Sequence, residues 1–173
     1  YKRQLMFFAP NSDDSCSLCG SQNELTGEHK LKAAPIRAIF GQQKMNIGHQ
    51  EGIIQWRTVQ GPKSTQLHFR SKICAECNNQ RTQAADRAFD KFFTSLNPEI
   101  DDIDIQEEPI YLNNIPYIQE NYEDIFRYFA KILSCHVADA GGPRHIGLSE
   151  YAIGFKDNNC IHAWLAKDPI GLK

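Results

Sequence analysis

The sequence has no uninterrupted apolar run near the ~20 residues that a membrane-spanning helix needs. The apolar run at 5–9 is too short for the apolar region of a signal peptide. Internal repeats and low-complexity tracts are also absent, which excludes solenoid and fibrous classes. We therefore expect no membrane partner. Because the chain begins at Tyr1 rather than Met, we expect it to be a piece of a longer protein.

Positive charge is missing from residues 99–124, which contain nine acids and no Lys or Arg. The segment from Glu28 to Lys72 has the opposite balance, with eight Lys or Arg against two acids. The net charge of −2 hides this asymmetry. Attraction to phosphate depends on the local field, so the basic segment favours a nucleic-acid partner, and a solvated basic face is the alternative. We interpret 99–124 as a linker or an exposed wrap.

The remaining composition is that of a globular α+β protein. A chain of 173 residues with 41% hydrophobic residues can form one domain with a buried core, alone or with a small appendage. Hydrophobic periodicity and turn residues predict helices over 33–40, from about 79 to 96, and over 122–140. They also predict a hairpin of strands 52–59 and 65–73, and one or two strands in the last thirty residues, including 160–166.

Cysteine spacing is the most specific signal in the sequence. Cys16 and Cys19 form one C-x2-C motif, and Cys74 and Cys77 form a second one after a gap of 54 residues. Two such pairs suit tetrahedral Zn²⁺, because both thiolates of a C-x2-C turn can face one ion at about 2.3 Å. Disulfides, a redox pair and buried free thiols are the alternatives. The unpaired Cys135 and Cys160 suggest a reducing compartment such as the cytoplasm.

A zinc ion that joins the two motifs would bring other polar residues together. Glu28 and His29 follow the first motif, and Asn78 directly follows Cys77. His29 could accept a proton from an attacking water, since an imidazole is largely neutral at pH 7. Carboxylate and amide oxygens could bind a catalytic Mg²⁺ or Mn²⁺. A surface histidine and a helix-capping Asn are the simpler interpretations.

The order C-x2-C, Glu-His, C-x2-C-N-x2-R-T resembles the zinc-containing branch of the HNH endonucleases. The resemblance covers residues 16–96 and implies a ββα-metal core. It implies that His29 is the general base, that Glu28 and Asn78 are ligands of the catalytic metal, and that Arg81 contacts phosphate. The family's middle Asn has no clear counterpart, since Phe69 occupies that spacing. The 44 residues between His29 and Cys74 also imply an insertion.

These observations lead to one functional hypothesis and two alternatives. We expect residues 1–97 to form an HNH-like nuclease domain that cuts DNA, as the effector part of a defence or mobile-element system. Residues 98–173 would add an acidic linker and a small, mainly helical extension to which the sequence assigns no role. The chain itself would form a homodimer or belong to a larger parent chain or complex. The expected nucleic-acid-binding residues are Lys30, Lys32, His68, Arg70 and Lys72. An inactive zinc-stabilised nucleic-acid-binding module is the first alternative, and a zinc scaffold for protein interaction is the second.

Overall fold

The computed structural model describes residues 7–51, 53–96, 110–111 and 121–165. Within these ranges the fold is a mixture of α-helices and small antiparallel sheets, each of two strands. The strands are β1 (Phe8–Ala9), β2 (Leu25–His29), β3 (Met45–Glu51), β4 (Ile53–Val59), β5 (His68–Cys74), β6 (Ile110–Tyr111), β7 (Arg144–His145) and β8 (Trp164–Leu165). The helices are α1 (Ala33–Phe40), α2 (Gln83–Leu96), α3 (Tyr122–Asp139) and α4 (Ile146–Ala152). None of these helices combines the length and apolarity needed to cross a membrane.

The three helices predicted from periodicity are confirmed. Helix α1 carries Pro35 in its first turn and is followed by Gly41, whose φ of +72° is a conformation that favours glycine. Helix α2 begins after a π-helical turn over Cys77–Arg81 rather than directly at Asn79. Most of the acidic segment 99–124, and the proposed domain boundary at 97/98, lie outside the described residues.

The predicted hairpin of strands 52–59 and 65–73 is wrong in its pairing. Strand β4 pairs with β3, whereas β5 pairs with β2, which precedes it by almost forty residues. The turn at 61–64 does form, since the Ser64 amide donates to the Gly61 carbonyl. A 3-10 turn over Thr65–Leu67 then separates it from β5. The two C-x2-C motifs explain why β5 pairs with β2 rather than with β4. Cys74 lies at the end of β5, and this pairing brings it close to the first motif.

The described part of the last thirty residues contains two strands, as predicted. Strand β7 pairs with β1, and β8, which lies within 160–166, pairs with β6. Helix α4 was not predicted from the sequence. Its N-terminus is capped by His145, whose Nδ1 accepts a hydrogen bond from the Leu148 amide at 3.0 Å. A histidine in this role gives a weaker sequence signal than Ser, Thr, Asp or Asn.

Helix α3 lies at the centre of the hydrophobic core. It packs against α2, α4 and β5. The ring of Tyr128 stacks on Phe89 of α2 with centroids 3.9 Å apart. Buried residues of α3 share one cluster with Phe69 and Ile73 of β5 and with Tyr151 of α4. The small β2–β5 sheet is therefore held on one side by α3.

Core packing predicts a large difference between two aliphatic residues of α3. Ile125 is 2% exposed and Leu133 is 45% exposed. We expect Ile125→Ala to lower the free energy of unfolding by about 2–5 kcal/mol, because it leaves a cavity. Leu133→Ala should cost less than about 1 kcal/mol. Urea denaturation of the zinc-loaded protein measures both values, and equal losses would contradict the central position of α3.

Candidate functional site

The four cysteines of the two C-x2-C motifs converge. Their sulfur atoms all lie within 4.8 Å of one another, and the sulfurs of Cys19 and Cys74 are 3.6 Å apart. A tetrahedral Zn²⁺ bound at about 2.3 Å separates its sulfur ligands by about 3.8 Å. All four thiols are free rather than joined as disulfides. The cluster could therefore hold one zinc ion, as the spacing predicted.

Backbone geometry directs both pairs of thiols to this point. Gly20 takes a φ of +79°, and its amide donates to the Cys16 carbonyl at 2.8 Å, which closes the first turn. The Cys19 amide points at the Cys16 sulfur, and the Cys77 amide points at the Cys74 sulfur, each at 3.5 Å. Amides aimed at sulfur stabilise the thiolate form that a metal binds.

The thiols of the cluster perturb one another strongly. A hydrogen bond with Cys77 lowers the pKa of Cys16 to about 4. The same hydrogen bond raises the pKa of Cys77, and burial raises it further. Burial also raises the pKa of Cys19. A dication would supply the positive charge that lets all four thiols ionise.

The cysteine cluster ties the first motif to the strands behind it. The amide and the hydroxyl of Ser17 both donate to the Lys72 carbonyl at 2.9 Å. Leu25 at the start of β2 pairs with Cys74 at the end of β5. Strand β2 then runs away from the cluster, and its last residue is His29. A zinc ion here would fix both strands and the helical turn that follows Cys77.

His29 meets a second histidine at the far end of the sheet. Its Nε2 lies 2.7 Å from the Nε2 of His68, and the two rings are perpendicular with centroids 3.8 Å apart. Burial lowers the pKa of His29, and positive charge on His68 and Lys131 would lower it further. His29 is therefore neutral at pH 7, which is the form that a general base requires.

The carboxylate of Glu28 binds a buried lysine of α3. Lys131 is 1% exposed, and its Nζ lies 3.0 Å from Glu28 Oε2 and 3.0 Å from Asp86 Oδ2. Glu28 is also buried, at 7% exposure. The predicted metal ligand thus already has a cationic partner, and Asp86 helps to bind that cation rather than lying on a solvated face.

Two carboxylates share the single ammonium of Lys131. Burial alone would lower the pKa of Lys131, but the charges of Glu28 and Asp86 reverse this effect and raise it. Burial raises the pKa of Glu28, and the attraction to Lys131 offsets that only in part, since Asp86 repels the second negative charge. Lys131 therefore stays protonated, and its charge offsets one of the two negative charges that surround it.

Asn78 and Arg81 lie on the π-helical turn after the second motif. The Asn78 amide donates to the Thr26 hydroxyl at 3.1 Å, so it links this turn to β2. The Arg81 guanidinium binds Glu76 at 2.6 Å and lies 4.6 Å from the centroid of the Phe155 ring. Both side chains have protein partners, and their roles at a metal or a phosphate stay predictions.

The predicted nucleic-acid-binding residues have mixed surroundings. Lys30 forms an ion pair with Asp139 at 3.3 Å, and the Arg70 guanidinium donates to the Asp139 carbonyl at 2.7 Å. Lys32 reaches the carboxylates of α2, at 2.8 Å from the nearer one. Lys72 lies exposed on β5, and His68 is bound to His29. Lys30, Lys32 and Arg70 therefore each contact an acidic residue of a helix, although the Arg70 side chain stays 84% exposed.

Sequence reasoning missed Lys131 and Asp139, the two charged residues of α3 that meet the candidate site. Their neighbours were interpreted only as a core helix. The signal was present for Lys131, which follows Tyr128 by three positions and precedes Cys135 by four, so it lies on the buried face. A lysine in that position needs an acidic partner, because buried charges are almost always paired.

In comparisons with known proteins, no family model, curated protein sequence or solved structure matches this chain.

Loss of one cluster cysteine should release the zinc ion. We expect one zinc per chain in the purified protein and a strong loss of zinc in Cys74→Ser, because a hydroxyl is a poor zinc ligand. The variant should also unfold, since structural zinc contributes directly to folding. Atomic absorption and circular dichroism measure both effects. Cys160→Ser, which changes an exposed thiol outside the cluster, is the matched control and should keep its zinc.

Removal of the Lys131 ammonium should destabilise the fold through the acids that it leaves behind. We expect Lys131→Met to lower the free energy of unfolding by about 3–5 kcal/mol, because Glu28 and Asp86 lose their buried cation. Adding Glu28→Gln should recover part of that loss. Lys91→Met, which changes an exposed lysine of α2, should have little effect. Urea denaturation tests this, and no recovery in the double variant would contradict the pairing.

Proposed function

We propose that this chain is a zinc-stabilised endonuclease of the HNH type that hydrolyses DNA phosphodiester bonds. The convergence of the two C-x2-C motifs is the observation that carries the proposal. It joins a strand that ends at His29, an antiparallel second strand, and a helix that follows the second motif. Strand, strand and helix in that order, with a histidine at the end of the first strand, agree with the ββα-metal arrangement that the sequence resembles.

In this proposal His29 acts as the general base. If Nε2 of His29 donates its hydrogen to Nε2 of His68, then Nδ1 of His29 keeps a free lone pair. That nitrogen takes a proton from water, the water oxygen bonds to phosphorus, the bond from phosphorus to the 3′-oxygen breaks, and the released 3′-oxygen takes up a proton from solvent. The lowered pKa of His29 keeps the base neutral at pH 7. His68 orients the ring, which is the role of the missing Asn.

The resemblance implies that Glu28 and Asn78 would hold Mg²⁺ or Mn²⁺, where the cation would stabilise charge on the phosphate and the leaving oxygen. The residues do not fit that assignment as they are arranged here. Lys131 already binds the Glu28 carboxylate, and Asn78 binds Thr26. No step of the mechanism is therefore derived through a catalytic metal, and the dependence on added cations becomes a property to measure.

The pairing of Glu28 with Lys131 favours a second candidate function. A buried ammonium that binds the predicted metal ligand would leave the scaffold without a catalytic cation. The chain would then be an inactive, zinc-stabilised module that binds nucleic acid. Binding without cleavage, weakened by salt because phosphate contacts release counterions, would be its signature.

Substitution of His29 separates the two candidates. With supercoiled plasmid and Mg²⁺ or Mn²⁺, the unaltered protein should nick or linearise the DNA. His29→Ala should lower the rate by about 10²–10⁴-fold, the usual contribution of a general base. Agarose gels give the rates, and zinc content should stay unchanged. His162→Ala is the matched control, because it removes an exposed histidine outside the site.

Two outcomes would count against the nuclease. Cleavage that persists in His29→Ala would exclude His29 as the base. Salt-dependent DNA binding without cleavage by the zinc-loaded protein, with either cation, would favour the inactive module.

A further inference from the structure

The insertion between β2 and β5 carries six of the eight Lys and Arg residues found between Glu28 and Lys72. Residues 30–67 contain six Lys or Arg and one acid, Glu51. Lys30 and Lys32 bind acids of the helices, as described above. Four other cations, Arg37, Lys44, Arg57 and Lys63, lie exposed on α1, the β3–β4 hairpin and the turn after it. The insertion therefore presents positive charge to solvent beyond the candidate catalytic residues.

Two of these cations line a concave site. A cavity of about 320 Å³ lies where the end of α1 meets the turn after β4, and Arg37 and Lys63 both line it. Gln42, Gln60 and Ser64 also line it, and none of the described residues that line it is acidic. Guanidinium, ammonium, amide and hydroxyl groups around one cavity are the donors that bind a phosphate group.

An exposed tryptophan lies on the same hairpin. Trp56 of β4 is 65% exposed and faces Gly48 of β3 across the sheet. A Cβ atom added to Gly48 would come within 2.9 Å of the indole ring. The indole therefore lies against the backbone at the one cross-strand position without a side chain, and its other side faces solvent. A large aromatic ring held in this way is a stacking surface for a base.

We propose that the insertion binds single-stranded nucleic acid, with a phosphate in the Arg37–Lys63 cavity and a base stacked on Trp56. The strand β4 leads from Trp56 to the cavity over four residues, which span about 13 Å. A short oligonucleotide can therefore reach both places. The inference deepens the proposed function, since it assigns the strand-binding surface of the same protein, but its test does not require cleavage.

The combination of features selects this partner over others. An acidic peptide would satisfy Arg37 and Lys63 but would gain little from a flat, exposed indole. A DNA duplex would satisfy the cations too, but its bases are stacked on one another and are not available to Trp56. An unpaired base offers a flat π surface whatever its identity, so the contact should tolerate changes of sequence.

Fluorescence tests the contact with Trp56 directly. The chain has two tryptophans, so Trp164→Phe leaves Trp56 as the single reporter. Titration with a thymidine oligonucleotide, without added divalent cation, should quench its emission. Anisotropy of a labelled oligonucleotide then gives the affinity of each variant. Trp56→Ala should weaken binding by at least about fivefold, and Trp56→Phe should recover part of the affinity, because it keeps a stacking ring.

Neutral substitutions test the cavity. Arg37→Gln with Lys63→Gln should weaken binding and lower the slope of log affinity against log salt by about 0.7, the value for one phosphate contact on a single strand. Arg87→Gln with Lys91→Gln removes the same two charge types from the exposed face of α2 and is the matched control. The control should keep the affinity and the slope within error.

Each alternative result would overturn the inference. Absence of binding, binding without a change in Trp56 emission, an equal loss in the control variant, or a preference for duplex DNA would each do so. The nuclease proposal fails separately. A protein that binds the oligonucleotide through Trp56 but cuts no DNA would refute the nuclease and keep the strand-binding surface. A protein that cuts DNA but fails the fluorescence test would keep the nuclease and refute the strand-binding surface.

Discussion

The meeting of four sulfur atoms from two distant motifs is the constraint on which the remaining arrangement depends. Cys16 and Cys19 come from an irregular N-terminal segment, and Cys74 and Cys77 from the junction of a strand and a helix. Sulfurs so close together repel once ionised, so the arrangement is stable only with a cation or with most thiols protonated. A zinc ion would attract all four thiolates and so overcome their mutual repulsion. The pairing of β2 with β5 follows from the meeting of the two motifs.

The Lys131 ammonium is the second charge that holds the candidate site together, and it lies away from the cysteine cluster. The cysteine cluster lies at one end of the β2–β5 sheet, whereas Lys131 of α3 pairs with Glu28 near the other end and with Asp86 of α2. One buried cation thus links a strand and two helices around the candidate site. It also explains why a glutamate predicted to bind metal is buried rather than open to solvent.

Local signals in the sequence predicted local structure well and distant pairing poorly. Pro35 marks the start of α1 and Gly41 marks its end. The apolar stripe of α3 is also evident from the sequence alone, because capping and periodicity act over a few residues. The C-x2-C motifs could be recognised for the same reason, since each spans only four residues. The pairing of β5 with β2 was not, since the turn at 61–64 satisfied every local rule for a hairpin. The contact of Lys131 with Glu28 spans more than a hundred residues and leaves no short-range pattern.

The cations beside the histidine pair differ from those of the insertion between β2 and β5 in whether they contact acidic residues. Positive residues beside the histidine pair, such as Lys30 and Arg70, share the single carboxylate of Asp139 in α3, which offsets part of their charge. Positive residues of the insertion are exposed in a sequence segment with a single acid. Because attraction to a polyanion follows the field in solvent, a nucleic acid should meet the insertion first. The histidine pair would then act on a strand that the insertion has already bound.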